Sequence, residues 1–150
     1  MSMYRHLILG LDLHPECDLT VLHKAIALAK LFEAPLTVVH AVEHMNTYGI
    51  GQAYPSLINV EEELLTLAKQ EIAKICADLD ITSSNQVVEL GSPKIVLLHQ
   101  AAQRNADLII VGSHGRHGLS LLLGSTANSI IHNSHCDVMT IRIRDDDVIC

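Results

Sequence analysis

The runs at residues 4–11, 36–42 and 107–111 are short and almost wholly apolar, and the stretches between them carry apolar residues at helical spacing. This alternation constrains the fold more than any other feature. A strand with one wet face alternates apolar and polar residues, whereas a strand that is apolar throughout is buried on both faces. After the first run, Val21, Ala25, Leu28 and Phe32 mark one buried helix face, with Pro15 suited to the first helical position and Glu16 and Asp18 to the first turn. After the second run, residues 44–56 show no period and contain Gly49, Gly51 and Pro55, as a loop would. From Leu57 the stripe Leu64, Ala68, Ile72, Ile75, Leu79 predicts a long amphipathic helix, and residues 86–90 a third strand. Gly91-Ser92-Pro93 reads as turn, N-cap and first helical position, opening a helix to about residue 104. A short helix from Ser125 to about 132 and a last strand, Val138 to Arg144, complete the order βαβαβαβαβ. Such an order predicts an α/β fold: a parallel sheet with right-handed crossovers and helices on both faces.

With 150 residues the chain is expected to form one domain, 1–150, large enough for its own core. Aromatic residues are only 3% of it, so that core has to be built from Leu, Ile, Val and Ala. The formal charge is −7 and the ten Lys and Arg form no cluster, which argues against nucleic-acid and anionic-membrane partners. No apolar run approaches the roughly 18 to 20 residues of a membrane span, and the N-terminus lacks a signal-peptide layout. The expected location is cytoplasmic. Cys17, Cys76, Cys136 and Cys150 contain no Cys-x-x-Cys pair and are read as thiols in packing or surface positions.

The segment with most chemistry follows the fourth apolar run: Gly112-Ser-His-Gly-Arg-His-Gly-Leu-Ser-Leu-Leu-Leu-Gly-Ser-Thr-Ala-Asn128. A buried strand that empties into glycines and then a Gly-Ser-Thr helix start suits an anion, because small residues let backbone N–H groups converge on it and the helix dipole supports its charge. The segment is not a Walker loop, which would end in Gly-Lys-Ser/Thr, and no Gly-x-Gly-x-x-Gly follows the first strand. A plain turn is the simpler reading of one Gly-x-x-Gly, and a helix-entry residue the simpler reading of Asp12. Arg116 is suited to phosphate charge, or to solvent on a loop. His14-x-x-Cys17 and His132-x-x-His135-Cys136 have ligand-like spacing without completing a tetrahedral set, and His40 lies in a strand that should be buried, so no metal is expected. No nucleophile elbow, paired carboxylates or catalytic lysine accompanies the loop, so no enzyme is expected.

Gly112-Ser-His-Gly115, a spacer and Gly124-Ser125 resemble the signature of the universal stress protein family. The resemblance extends to the opening strand with Asp12, to Leu36-Thr-Val-Val-His40-Ala-Val, to Gly91-Ser-Pro93 and to Cys136-Asp-Val before the last strand, and so covers the whole chain. It is greatest for the single-domain bacterial members grouped around universal stress protein A. The resemblance implies a single doubly wound, Rossmann-like sheet of five parallel strands in the order 3-2-1-4-5. In ATP-binding members, the aspartate matching Asp12 approaches the nucleoside and the backbone matching Ala41 meets the adenine. Positions matching Val111, Gly112, Gly115, Gly124 and Ser125 surround ribose and phosphates; Thr126, one step into the helix, and Arg116 are further candidates. One departure stands out: the ATP-binding pattern has nine residues between its second and third glycines, whereas residues 116–123 number eight.

The expected function is that of a stress-response protein binding ATP, alone or with Mg2+, or a related adenine nucleotide as a conformational signal, with any hydrolysis slow. Occupancy would order residues 113–123 and 44–56 and so change the surface shown to partners. The alternative is a nucleotide-free dimeric interaction module, and a third reading is an autophosphorylating or ATP-hydrolysing enzyme. Met139, Ile141 and Ile143 alternate with Thr140, Arg142 and Arg144 in a last strand with nothing after it to cover its edge. Such an edge invites pairing with another chain, and the family resemblance implies a two-fold homodimer through this terminal strand, Val138 to Arg144.

Overall fold

The computed structural model describes residues 2–13, 18–44, 56–113 and 124–143. Strands β1 (Leu7–Gly10), β2 (Leu36–Val42), β3 (Gln86–Leu90), β4 (Leu108–Gly112) and β5 (Asp137–Ile141) form one parallel sheet in the order β3-β2-β1-β4-β5. Four helices connect them: α1 (Asp18–Phe32), α2 (Ser56–Cys76), α3 (Pro93–Gln103) and α4 (Ser125–Asn133). The winding reverses at β1, whose two neighbours are β2 and β4.

The apolar runs are explained by two cores, one on each face of the sheet. Leu7, Leu9, Val38, Leu108 and Ile110 turn to the face covered by α1 and α2, where they meet Val21, Leu22, Ala25 and Ile72. Ile8, Val39, Ile109 and Val111 turn to the other face and meet Val96, Leu97 and Ala101 of α3 and Ala127 and Ile130 of α4. Because successive side chains of a strand alternate between faces, every residue of a central strand is then in a core. Leu7, Ile8, Leu9, Ile109 and Ile110 are all 0% exposed.

The helices stop by local chemistry. Glu33 after α1 and Asn105 after α3 take left-handed backbone (φ 52° for each), and the amides of Ala34 and Ala106 return to the carbonyls of Ala29 and Ala101. Both are Schellman endings, the second with a residue type that tolerates the conformation.

Several expected boundaries shift. β1 begins at Leu7 rather than residue 4 because the Arg5 and His6 amides turn to the Asp107 carboxylate, at 2.9 to 3.0 Å, instead of to a neighbouring strand. Asp107, expected at the head of the fourth strand, is thus a clamp that precedes it. The last strand ends at Ile141 because the Ile143 amide leaves the ladder for Ser113 Oγ at 3.0 Å; Arg144 lies outside the described residues. Leu64, expected on the buried stripe of α2, is 41% exposed, and Leu79 lies beyond the end of that helix. Ser92 occupies the N-cap of α3 as expected, although its hydroxyl makes no capping bond. Pro15, Glu16 and most of residues 44–56 lie outside the described residues.

At the end of the sheet where strands begin, polar groups tie the layers together. Tyr4 donates its hydroxyl to Asp137 at 3.0 Å, and His6 Nε2 meets Thr37 Oγ1 at 2.8 Å. Thr37 is 0% exposed, and its hydroxyl reaches Asn85 and accepts from Arg104, which also donates to Gln100 and the Ser84 carbonyl. Burial first, and the Arg104 charge second, hold the His6 imidazole below its ordinary pKa against the opposing pull of Asp107.

The Asp107 clamp gives a pH dependence. Desolvation pushes its carboxyl up, but the amide bonds from His6 and Arg5 outweigh it and the net shift is downward from 3.8. A depressed folded pKa means that the clamp contributes fully above the unfolded value and is lost as pH falls through the folded one. Asp107→Ala should therefore cost on the order of 2 kcal/mol at pH 7. In urea titrations the gap between variant and wild type should close as the pH falls below 3.8 and through the depressed folded-state pKa; a gap unchanged at acid pH contradicts this account.

Candidate nucleotide site

Beyond the carboxyl ends of the strands, most of the candidate residues come together. Gly10 is level with Val39, and the Leu11 amide continues the ladder to the Val39 carbonyl at 2.9 Å; the same register carried on past the strand sets Asp12 against Ala41. On the other side, Leu9 is level with Ile110, which brings Val111 and Gly112 beside Gly10 and Leu11. Asp12 is exposed, and the next residue, Leu13, is held in the left-handed region at φ 48°. Such backbone in a non-glycine residue is uncommon and costs on the order of 1 kcal/mol or more.

Ser113 returns the glycine segment to the sheet. Its amide donates to the Ile141 carbonyl at 2.8 Å, its hydroxyl accepts the Ile143 amide, and its carbonyl accepts the Gly124 amide at 2.8 Å. Residues 114–123, which include Gly115 and Arg116, lie outside the described residues, but the two ends of their loop are joined by that last bond. Gly124 is the N-cap of α4, with no side chain to cap it, and its carbonyl accepts from Asn128 at 3.0 Å. The amides of Ser125, Thr126 and Ala127 therefore belong to the first turn, where a helix has no internal acceptors for its N–H groups.

Seven of the nine candidates can be placed, Gly115 and Arg116 being outside the described residues. Asp12, Ala41, Val111, Gly112, Gly124, Ser125 and Thr126 all lie at this one end of the sheet, across the β1/β4 reversal. A parallel doubly wound sheet offers its ligand crevice at such a point. A Cβ on Gly112 would lie 2.7 Å from Ile143 Cδ1, so the end of that side chain would have to shift, while Val21 Cγ2 at 3.5 Å would be in ordinary contact. Val111 is buried in the α3/α4 core, so only its backbone can serve a ligand.

Ser113 was not a candidate, although a serine directly after the strand's glycine was its visible signal. In the sequence His40 stands out only as a histidine within a strand that should be buried. It is buried, as expected for its strand, and its Nδ1 lies 2.7 Å from the Leu11 carbonyl.

Among the described residues, no three His, Cys, Asp or Glu groups converge as a metal site would require. His132 and His135 are exposed, and Cys136 Sγ lies 3.3 Å from Ser134 Oγ; His14 and Cys17 lie outside the described residues. A groove of about 630 Å3 runs along the outer edge of β3 between α2 and α3, lined by Lys69, Glu89, Gln100 and Arg104 among others. It lies on the sheet's flank, away from the crossover, and Gln100 bonds to both Glu89 and Arg104 within it.

Strand order, the Ser113 staple and the uncapped α4 together form an anion-compatible end on a doubly wound sheet. The profile of the Universal stress protein family matches residues 3–142. The chain belongs to this family. It is 42% identical to universal stress protein A homolog 2 of Coxiella burnetii over 144 residues, covering 96% of this chain and 99% of the relative. Universal stress protein UspA from Lactobacillus plantarum superposes with a TM-score of 0.79 at 22% identity, covering 95% and 100% of the two chains. A universal stress protein solved in complex with cAMP superposes at 0.60 with 20% identity, covering 94% and 98%. At those identities the two structures show the shared fold. Among the described residues of this universal stress protein, no helix is long and apolar enough to cross a membrane.

Proposed function

We propose that this stress protein binds ATP, alone or with Mg2+, or a related adenine nucleotide, in the crevice between Asp12, Ala41 and the start of α4. The observation that carries the reading is the N-terminus of α4: a glycine cap with no capping side chain, bonded to Ser113 so that first-turn amides lie at the β1/β4 reversal. A phosphate supplies the acceptors those amides need and sits at the positive end of the helix dipole. Asp12 and Ala41, level with each other on adjacent strands, would take the nucleoside, with Val111 and Gly112 below it; Gly115 and Arg116 are proposed for the phosphates from the family resemblance. The cAMP complex of the related fold supports the nucleotide class. In this reading occupancy is the signal and turnover is not required.

The protein is further proposed to act as a homodimer in the cytoplasm. β5 is an edge strand. The Ile141 carbonyl and the Ile143 amide both turn to Ser113, so by alternation the amides of Val138, Thr140 and Arg142 turn outward. An edge of this kind can accept the same edge of a second copy.

The small molecules released by mild denaturation of freshly purified protein test the ligand reading. Mass spectrometry is expected to find an adenine nucleotide. Protein that carries none and ignores millimolar ATP in calorimetry would favour the nucleotide-free interaction module.

A further inference from the structure

The proposed nucleoside subsite depends on how Asp12 is held, and its backbone is fixed from one side. The Leu11 amide donates to the Val39 carbonyl at 2.9 Å, and the Leu11 carbonyl faces His40 Nδ1 at 2.7 Å. Both groups of Leu11 are thus held by consecutive residues of β2. The second bond fixes the peptide that joins Leu11 to Asp12, one residue before the left-handed turn at Leu13. A carbonyl only accepts, so Nδ1 must carry a proton and donate. His40 is 9% exposed and lies two residues after Val38, on the face covered by α1 and α2. Ala41, on the opposite face, is the residue level with Asp12. Consecutive residues of β2 therefore serve the same place in different ways: Ala41 borders the crevice, while His40 reaches the strand beside it from behind.

We infer that His40 is a positioning residue, whose Nδ1–H holds the Leu11–Asp12 peptide so that Asp12 is presented to the nucleoside half of a bound nucleotide. This rests on the nucleotide reading for its consequence but not for its geometry. Without the bond, the Leu11 carbonyl loses its buried partner, and the Leu11–Asp12 peptide loses the restraint that β2 places on it through His40. The phosphate half of the site, built from Ser113 and α4, is held by bonds to Ile141, Ile143 and Gly124 and should not respond.

His40→Phe keeps a ring of similar volume and removes the donor. His40→Asn places an amide nitrogen where Nδ1 stands and keeps it. In the ligand-free protein, hydrogen exchange at the Asp12 and Leu13 amides should accelerate in H40F and return towards wild type in H40N, with Ile8 and Ile109 unchanged. ATP affinity should fall about tenfold in H40F and recover in H40N, whereas inorganic triphosphate should bind all three proteins equally. On an Asp12→Ala background, H40F should cost nothing further, because its effect passes through Asp12.

Unchanged exchange at residues 12 and 13 in H40F overturns the inference, whatever ATP does. So does an equal loss of ATP and triphosphate binding, which would report general damage. If wild type binds no ATP while H40F still loosens residues 12 and 13 and H40N restores them, the nucleotide reading falls and the role of His40 in placing Asp12 stands.

Discussion

Ser125→Asp is expected to leave the chain as stable as wild type, or slightly more so, while lowering ATP affinity at least about 100-fold. Ser125 is the first residue of α4 and is exposed, so an aspartate meets no packing constraint there. A carboxylate in the first turn is favoured by the helix dipole, by roughly 0.3–1 kcal/mol. The same carboxylate competes for the first-turn amides and stands beside the proposed phosphates. Two like charges about 4 Å apart repel by about 4 kcal/mol at an effective dielectric of 20, far more than the dipole returns to stability. Thermal melting and calorimetry on one sample read the two effects with opposite signs. Loss of both would mean a damaged fold, and retention of both would place the phosphates elsewhere.

Two prolines in neighbouring positions should behave very differently at the dimer edge. Thr140 is partly exposed, and its amide turns away from β4, so Thr140→Pro removes an outward donor and leaves the β4–β5 ladder intact. Light scattering should find it monomeric, with cooperative unfolding retained. Ile141 is 6% exposed in the core and its backbone faces β4. Ile141→Pro should therefore lose at least about 3 kcal/mol of chain stability, from ladder and packing together. A dimeric Thr140→Pro protein would remove the β5 edge as the interface.

The fold was legible because strand burial is written in composition. A central strand with both faces covered is mostly apolar, and the limits that 36–42 show in the sequence are those of β2; 86–90, half-buried at the sheet edge, keeps its limits as β3 through its Val87, Val88 and Leu90. Ends were less legible where a polar side chain replaces a ladder partner: Asp107 looks like the first residue of a strand until its carboxylate is seen to hold Arg5 and His6. Leu64 was misplaced for a geometrical reason. A helix of 21 residues spans about 31 Å and a strand of five residues about 17 Å, so α2 outruns β3 and part of its apolar stripe has no sheet beneath it.

The candidate site was legible in the glycine and Gly-Ser-Thr spacing, and in the order of strands that puts β1 next to β4. Ser113 and His40 were not, because each acts through a backbone contact to a residue distant in sequence. Gly112 shows the converse: its place in the motif suggests room for a ligand, yet the space a Cβ would take is already approached by the end of the Ile143 side chain.

Backbone amide NMR of the isotopically labelled wild-type chain during titration with ATP tests the central claim most directly, because it reports both whether the nucleotide binds and where. The account predicts saturable shifts at Asp12, Ala41, Ser113 and Gly124 through Ala127, with the network of Asn85, Arg104 and Asp107 at the opposite end of the sheet unmoved. No shift at millimolar ATP, or shifts confined to the β3 edge groove and that opposite end, would contradict it.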